Sequence, residues 1–203
     1  MKHLDALINR TPALAVCRAD LEAAVQTLET MHKAGGKLLL CGNGGSAADC
    51  GHISGELLKS FLLPRPVADG RLDAATRAVL QEGVAAIPLP AFSTLISAFA
   101  NDVNADFVYA QLVYVLGREG DVLLCLSTSG NAKNVLHAAS AARARGMQVI
   151  GLSGGNGGAL RSLCDLCICV PATETYRVQE KHLPLYHQLC IQIEASMFPE
   201  NKG

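Results

Sequence analysis

The chain has 203 residues, half of them hydrophobic, with 17% charged residues and a formal net charge of -1. That length buries one substantial core and is short for two. The near-neutral charge supplies no broad basic field for nucleic acid or anionic lipid, and 4% aromatics with no Trp argue against a base-stacking platform.

The first ten residues lack the apolar core of a signal peptide. The longest apolar runs, such as Val122 to Leu126, are strand-sized and far short of a membrane span. A soluble cytoplasmic protein with no nucleic-acid and no membrane partner is the expectation.

Residues 1–34 read as helical. Thr11-Pro12 suits a cap followed by a first-position proline. Leu14, Leu21, Val25, Leu28 and Met31 then recur at helical spacing, and Gly35-Gly36 stops the helix. This N-terminal segment, 1–35, is a candidate for oligomer packing. From Lys37 short apolar runs alternate with helical stretches. Strands are expected at 37–41, 84–90, 121–126, 147–152 and 165–170. Helices are expected at 47–61, 92–100, 108–116, 131–145, 158–163 and 175–198. The pattern is interrupted over 62–83, an insertion that carries a short surface helix at 73–81. Alternating strands and helices argue an α/β domain with a roughly five-stranded parallel sheet, covered by helices on both faces.

Eight cysteines, Cys17, Cys41, Cys50, Cys125, Cys164, Cys167, Cys169 and Cys190, sit mostly in apolar stretches. There a free thiol behaves as a small hydrophobe. Cys164-x-x-Cys167-x-Cys169 invites a zinc reading, but no second Cys/His pair stands at zinc-finger spacing. The run from Leu166 to Val170 reads as a buried strand.

Two strand-to-helix turns carry the same chemistry: Asn43-Gly44-Gly45-Ser46 and Ser127-Thr128-Ser129-Gly130-Asn131. Each offers hydroxyls and exposed N–H groups at a helix N-terminus, which together hold an anion. In an open α/β sheet both lie at the carboxyl edge of the strands. Ser46 and Ser129 alone would also serve as ordinary helix caps. Neither turn matches the P-loop. Gly42-x-Gly44-x-x-Ala47 fits a loose dinucleotide fingerprint, but no acidic residue closes a second strand at the expected distance. A small phosphorylated ligand is favoured over a nucleotide cofactor.

His52 and Glu56 share a helix face at a spacing of four. Gln179, Glu180, His182 and His187 lie on the last helix, which Pro184 should bend. Such groups suit general acid–base work or a nitrogen/oxygen metal site. Solvated or packed side chains are the plainer alternative.

The stretches KLLLCGNGGSAADCGHISGEL, AFANDV, REGDVLLCLSTSGNAKNV, ARGMQVIGLSGGNGGAL and TETYRVQEKHLPLYHQLC together resemble the SIS sugar-phosphate family, and within it the phosphoheptose isomerases. The resemblance implies a single SIS domain over 1–203, a three-layer α/β/α sandwich of flavodoxin/Rossmann-like type. It also implies a homotetramer with sites built between subunits. The implied reaction is aldose–ketose isomerisation of sedoheptulose 7-phosphate to D-glycero-D-manno-heptose 7-phosphate through an enediol. It implies that Asn43, Gly44, Gly45 and Ser46 contact the sugar, that Ser127, Thr128 and Ser129 hold the phosphate, and that Asn101, Asp102 and Gln179 line the site. Glu56 and His187 would carry proton transfer, and zinc would be held by His52, Glu56, Gln179 and His187. Ala132 stands where the family often has a serine, Lys59-Ser60 where it has an arginine, and 62–83 is longer than usual. The rival is a non-enzymatic SIS protein that binds a sugar phosphate, or a protein partner as the replication-initiator-associating relatives do.

Overall fold

Almost every residue of the central strands is apolar, and successive side chains leave a strand on opposite faces, so the sheet can be stable only with both faces covered. The computed structural model, which describes residues 2–198, shows how. Met1 and residues 199–203, the extremities of the expected domain, lie outside the described residues. In chain order the elements are α1 (Lys2–Arg10), α2 (Arg18–Lys33), β1 (Leu38–Gly42), α3 (Gly45–Leu58), α4 (Ala74–Val79), β2 (Ala86–Pro88), α5 (Ser93–Phe99), α6 (Val108–Leu116), β3 (Val122–Ser127), α7 (Lys133–Ala144), β4 (Gln148–Gly154), β5 (Leu166–Val170) and α8 (Thr175–Met197). A 3-10 turn, Pro12–Cys17, splits the expected first helix in two.

The five strands form one parallel sheet in the order β2-β1-β3-β4-β5. Side-chain alternation divides the core. Leu38, Leu40, Leu124 and Leu152 face α1, α2, α3 and α8, while Leu39, Cys41, Leu123, Cys125 and Val149 face α6 and α7. The result is a three-layer α/β/α sandwich preceded by N-terminal helices. Cys167 and Cys169 lie in β5, with their sulfurs 3.7 Å apart, and all eight cysteines are free thiols.

After β1 the chain moves outward to β2, then returns to the other side of β1 as β3. The crevice between the ends of β1 and β3 is therefore the topological switch point, where open α/β sheets bind ligands.

The expected last helix is present: α8 runs unbroken from Thr175 to Met197 with Pro184 inside it, its inner face held by Val178, Leu185, Leu189 and Ile193 in the core. Between α5 and α6, Ala100–Asn104 forms a π-turn and Ala105–Phe107 a 3-10 turn. The 62–83 segment is tied down from within. Arg65, 2% exposed, donates from Nε to Glu194 Oε1 at 2.8 Å, and the N–H groups of Phe61, Leu62 and Leu63 donate to the same carboxylate.

Candidate active site

β1 is followed by Asn43-Gly44, and Gly44 takes φ +55° as the residue just before α3. Only glycine adopts that conformation without strain. The next glycine serves closeness: a Cβ on Gly45 would strike the Gln179 amide at 2.5 Å. β3 ends at Ser127, Thr128-Ser129 follow, and Gly130, at φ +66°, has no room for a Cβ against the Gly157 carbonyl. These two turns, with Ala132 and the start of α8 at Thr175 and Gln179, enclose a cleft of about 350 Å³ at the switch point.

Three helices, α3, α7 and α8, begin around this cleft, and none has a side-chain cap. Ser46 sits inside the first turn of α3, and Ser129 accepts from the Asn131 N–H rather than capping α7. The capping alternative therefore fails for both serines. Uncapped first-turn N–H groups around one small cleft can hold an anion, each helix dipole adding to the attraction. The cleft is firmly built. Asn43 and Asn134 exchange two side-chain hydrogen bonds of 2.8 and 2.9 Å. Asn131 donates to the Ser129 carbonyl and accepts from Ala159 N. The buried Ser153 hydroxyl donates to the Ser127 carbonyl at 2.6 Å.

A second group of side chains lies where α3 packs on α8. His52 Nε2 is 3.3 Å from Glu56 Oε1 and 3.4 Å from His187 Nε2. The other Glu56 oxygen is buried without a hydrogen bond, and Lys59 Nζ stands 3.9 Å from it. Burial, and then the neighbouring His52, holds His187 below the ordinary imidazole value, with Glu56 opposing both. His187 is thus a neutral imidazole that can both take and give a proton near neutral pH. Tyr186, 1% exposed, donates its hydroxyl proton to Asp49 and lies 3.0 Å from His52 Nδ1.

The donor chemistry of this group suits zinc. Bonds of about 2.05 Å place tetrahedral ligands about 3.3 Å apart, close to the two separations from His52 Nε2. Two imidazoles and an orphaned carboxylate are also common zinc donors. Among the described residues, no three His, Cys, Asp or Glu side chains already close on one point as a finished metal cage. His187 and Glu56 would have to draw together around the ion.

The structure brings Asn43, Gly44, Gly45, Ser46, Ser127, Thr128, Ser129 and Gln179 to one cleft, and His52, Glu56 and His187 to the neighbouring cluster. Gln179 is separated from the cluster it was expected to join. Eight residues of helix put it about 12 Å along α8 from His187, and its amide packs on Gly45 instead. Asn101 and Asp102 hydrogen-bond to each other and line a separate, open depression with Ser93 and Ser97. His182 belongs to neither group. It is fully buried, turned inward beside the Ser153 main chain, because five residues place it about 140° round the helix from His187. Glu180 is exposed. Sequence reasoning missed Asp49, Asn134 and Tyr186; each is fixed by a partner far along the chain.

Residues 14–154 match the family model described as the SIS domain. The phosphoheptose isomerase of Thiobacillus denitrificans is 46% identical over 79% of this chain and 75% of its own length. That of Rhodospirillum rubrum is 38% identical over 91% and 89%. The solved phosphoheptose isomerase GmhA from Neisseria gonorrhoeae superposes with a TM-score of 0.78 at 32% identity, covering 95% of this chain and 94% of that one. The chain belongs to the SIS-domain phosphoheptose isomerases.

Proposed function

We propose that this protein is a sugar-phosphate isomerase that converts sedoheptulose 7-phosphate to D-glycero-D-manno-heptose 7-phosphate. The observation that carries this reading is the pairing of an uncapped three-helix anion cleft with a carboxylate–imidazole cluster on adjoining turns of the same two helices. The first anchors a phosphate; the second moves protons.

The phosphate binds the N–H groups and hydroxyls of Ser127, Thr128 and Ser129, and the sugar lies against Asn43, Gly44, Gly45, Ser46 and Gln179. Glu56 removes a proton from C1 of the ketose. The C–H pair becomes the C1–C2 double bond, and the carbonyl π pair moves onto the C2 oxygen as an enediolate. His187 carries the hydroxyl proton from O1 to O2, so that O1 becomes the aldehyde oxygen as the carboxyl of Glu56 returns its proton to C2. Atoms and charge balance with no outside reactant. Neutral His187 is suited to that transfer because it can act in either direction.

Zinc, held by His52, Glu56 and His187, and by Gln179 only if its side chain left Gly45 and turned toward them, would polarise the carbonyl and stabilise the enediolate charge. Bound in that way Glu56 would need to leave the ion before serving as the base. The reading includes a homotetramer in the cytoplasm. Support for assembly comes from Val103, 67% exposed, and Tyr114, 61% exposed, which line one surface depression with Phe99 and Phe107, since clustered exposed apolar side chains mark interaction surfaces. In such an assembly Asn101 and Asp102, which do not reach this chain's own cleft, would line a neighbouring subunit's site. No helix among the described residues is long and apolar enough to cross a membrane.

The test is NMR of purified protein with sedoheptulose 7-phosphate and zinc in heavy water. Deuterium incorporation beside the carbonyl, with appearance of the aldose phosphate, is the expected result. Binding with neither exchange nor product would overturn the enzyme reading in favour of a sensor or scaffold.

A further inference from the structure

His52 is not a free surface imidazole. Its Nδ1 is 3.0 Å from the Tyr186 hydroxyl, and that hydroxyl is 3.1 Å from Asp49 Oδ1. A phenol has one proton. An ionised carboxylate can only accept, so the Tyr186 proton goes to Asp49. The Tyr186 oxygen must then accept from His52, which places the imidazole proton on Nδ1 and leaves a bare lone pair on Nε2. The lone pair faces Glu56 Oε1 at 3.3 Å and His187 Nε2 at 3.4 Å. Nothing about the sequence spacing demands this arrangement: Asp49 and Tyr186 are 137 residues apart and meet only because α3 packs on α8.

We infer that Asp49 and Tyr186 are positioning residues that fix His52 as the Nδ1-protonated tautomer, so that its Nε2 lone pair is permanently presented to the cluster of Glu56 and His187. Burial makes the device rigid. Tyr186 is packed in the core and Asp49 is half-buried, so neither can swing to another partner. The His52 and Tyr186 rings meet edge-on at 5.4 Å, which restricts ring rotation. The consequence is an electron-rich cup. Two acceptors, His52 Nε2 and Glu56 Oε1, face each other at near-contact distance, and that arrangement is comfortable only with a cation or a donated proton between them. Without the tyrosine, His52 would take the other tautomer, donate from Nε2 to Glu56, and close the cup against any ion. The inference deepens the isomerase reading and rests on it only for the catalytic consequence; the tautomer itself stands on this geometry alone.

The test uses the full-length protein with labelled histidine and Tyr186→Phe and Asp49→Asn variants. Nitrogen-edited imidazole NMR at mildly alkaline pH, with the His52 signal assigned by its loss in His52→Gln, reads the tautomer directly. The wild type should show the proton on Nδ1, and Tyr186→Phe should move it to Nε2. Asp49→Asn keeps the tyrosine packing while removing the obligate acceptor, and should give a mixture; it guards against misfolding of the Phe variant. Zinc titration of the same proteins should show affinity falling about 10- to 100-fold in both variants, the usual consequence of losing a residue that orients a metal ligand. A wild-type proton on Nε2, or a tautomer unmoved by Tyr186→Phe, overturns the inference, as does unchanged zinc affinity in both variants. A wild type that takes up no zinc would remove the metal from the proposed function, and the tautomer alone would then decide the role of Tyr186. Loss of isomerase activity in the wild type with the tautomer as stated would sink only the activity.

Discussion

Asn43 and Asn134 face each other across the mouth of the cleft as a closed amide pair, each donating to the other's oxygen at 2.8 and 2.9 Å. The pair bolts the turn after β1 to the first turn of α7, and so sets the width between the sugar-contacting and phosphate-holding turns. Both side chains are solvent-accessible, so the bonds add little net stability, on the order of 1 kcal/mol. Their effect belongs to positioning. Asn134→Ala should lower the unfolding free energy by about 1 kcal/mol or less while raising KM several-fold with a smaller change in kcat. Steady-state kinetics beside a urea melt separates the two. An unchanged KM would mean that Asn43 holds its place without the partner.

Ala132 is the residue before α7, with an extended backbone and no side-chain cap, and it lines the cleft. A serine there would place a hydroxyl where it can accept from a first-turn N–H and also reach a bound phosphate. Replacing alanine by serine at such a position is worth about 1 kcal/mol. Ala132→Ser should therefore raise the melting temperature and tighten inorganic phosphate binding. A more stable protein with weaker phosphate binding would show that the hydroxyl consumes an N–H group the ligand needs.

Glu56 lies one helical turn beyond His52, with one oxygen 3.3 Å from it and the other buried without a hydrogen bond. If it is the base that takes the carbon-bound proton, Glu56→Gln should abolish deuterium exchange and turnover, a loss of at least about 100-fold by the usual worth of a general base. Phosphate binding should persist, because the anion cleft is built from other residues. Both can be followed in one NMR sample, and normal exchange by the variant would remove Glu56 from the reaction.

How much of this was legible beforehand divides along physical lines. Strands β3 and β5 and helix α6 emerge within a residue of expectation, because an unbroken buried run or a helical period is a local signal. The two strand-to-helix turns at Asn43–Ser46 and Ser127–Asn131 are equally legible as turns, since glycine and serine directly after an apolar strand are a local signal. The π-turn at Ala100–Asn104 leaves no composition signal. The resemblance implies a ligand set that pairs Gln179 with His187, yet the rise along the helix axis separates their backbones. Asp49, Asn134 and Tyr186 escaped because each meets its partner across 91 or 137 residues, and no spacing rule encodes such a meeting.

Glu194 is buried, and burial by itself would raise its pKa, but the N–H groups of Phe61 and Leu62 and the Arg65 guanidinium outweigh that and hold it below the usual carboxylate value. Removing the charge leaves Arg65 buried without a counter-ion. Glu194→Gln should cost about 3–5 kcal/mol and release the 62–83 segment to proteolysis. A double replacement of Arg65 and Glu194 by Met and Leu should recover part of that loss. Denaturant melts of the two variants decide it: a double variant as unstable as the single one would mean that the backbone N–H bonds, not the ion pair, hold the insertion.

His182 gives the molecule a pH dependence of its own. It is fully buried, neither ring nitrogen has a hydrogen-bond partner among the described residues, and burial lowers its pKa from 6.5 to about 4, the Ser153 main chain offsetting this only in part. In the unfolded chain the imidazole titrates near its ordinary value of 6.5. Between those two values the unfolded state binds the proton that the folded state refuses, so stability rises with pH there. The contribution is fully present above pH 6.5, declines as the pH falls through that value, and is exhausted near pH 4. Its full size is roughly 3 kcal/mol at 1.36 kcal/mol per pH unit. Replacing His182 by leucine, close in volume and unable to titrate, should flatten the stability curve over that window, while Glu194, whose pKa is likewise lowered but from a carboxylate's value, continues to govern the more acidic end. Urea melts of both proteins at several pH values measure the slopes, and an unchanged slope in the leucine variant would place the acid sensitivity elsewhere than in His182.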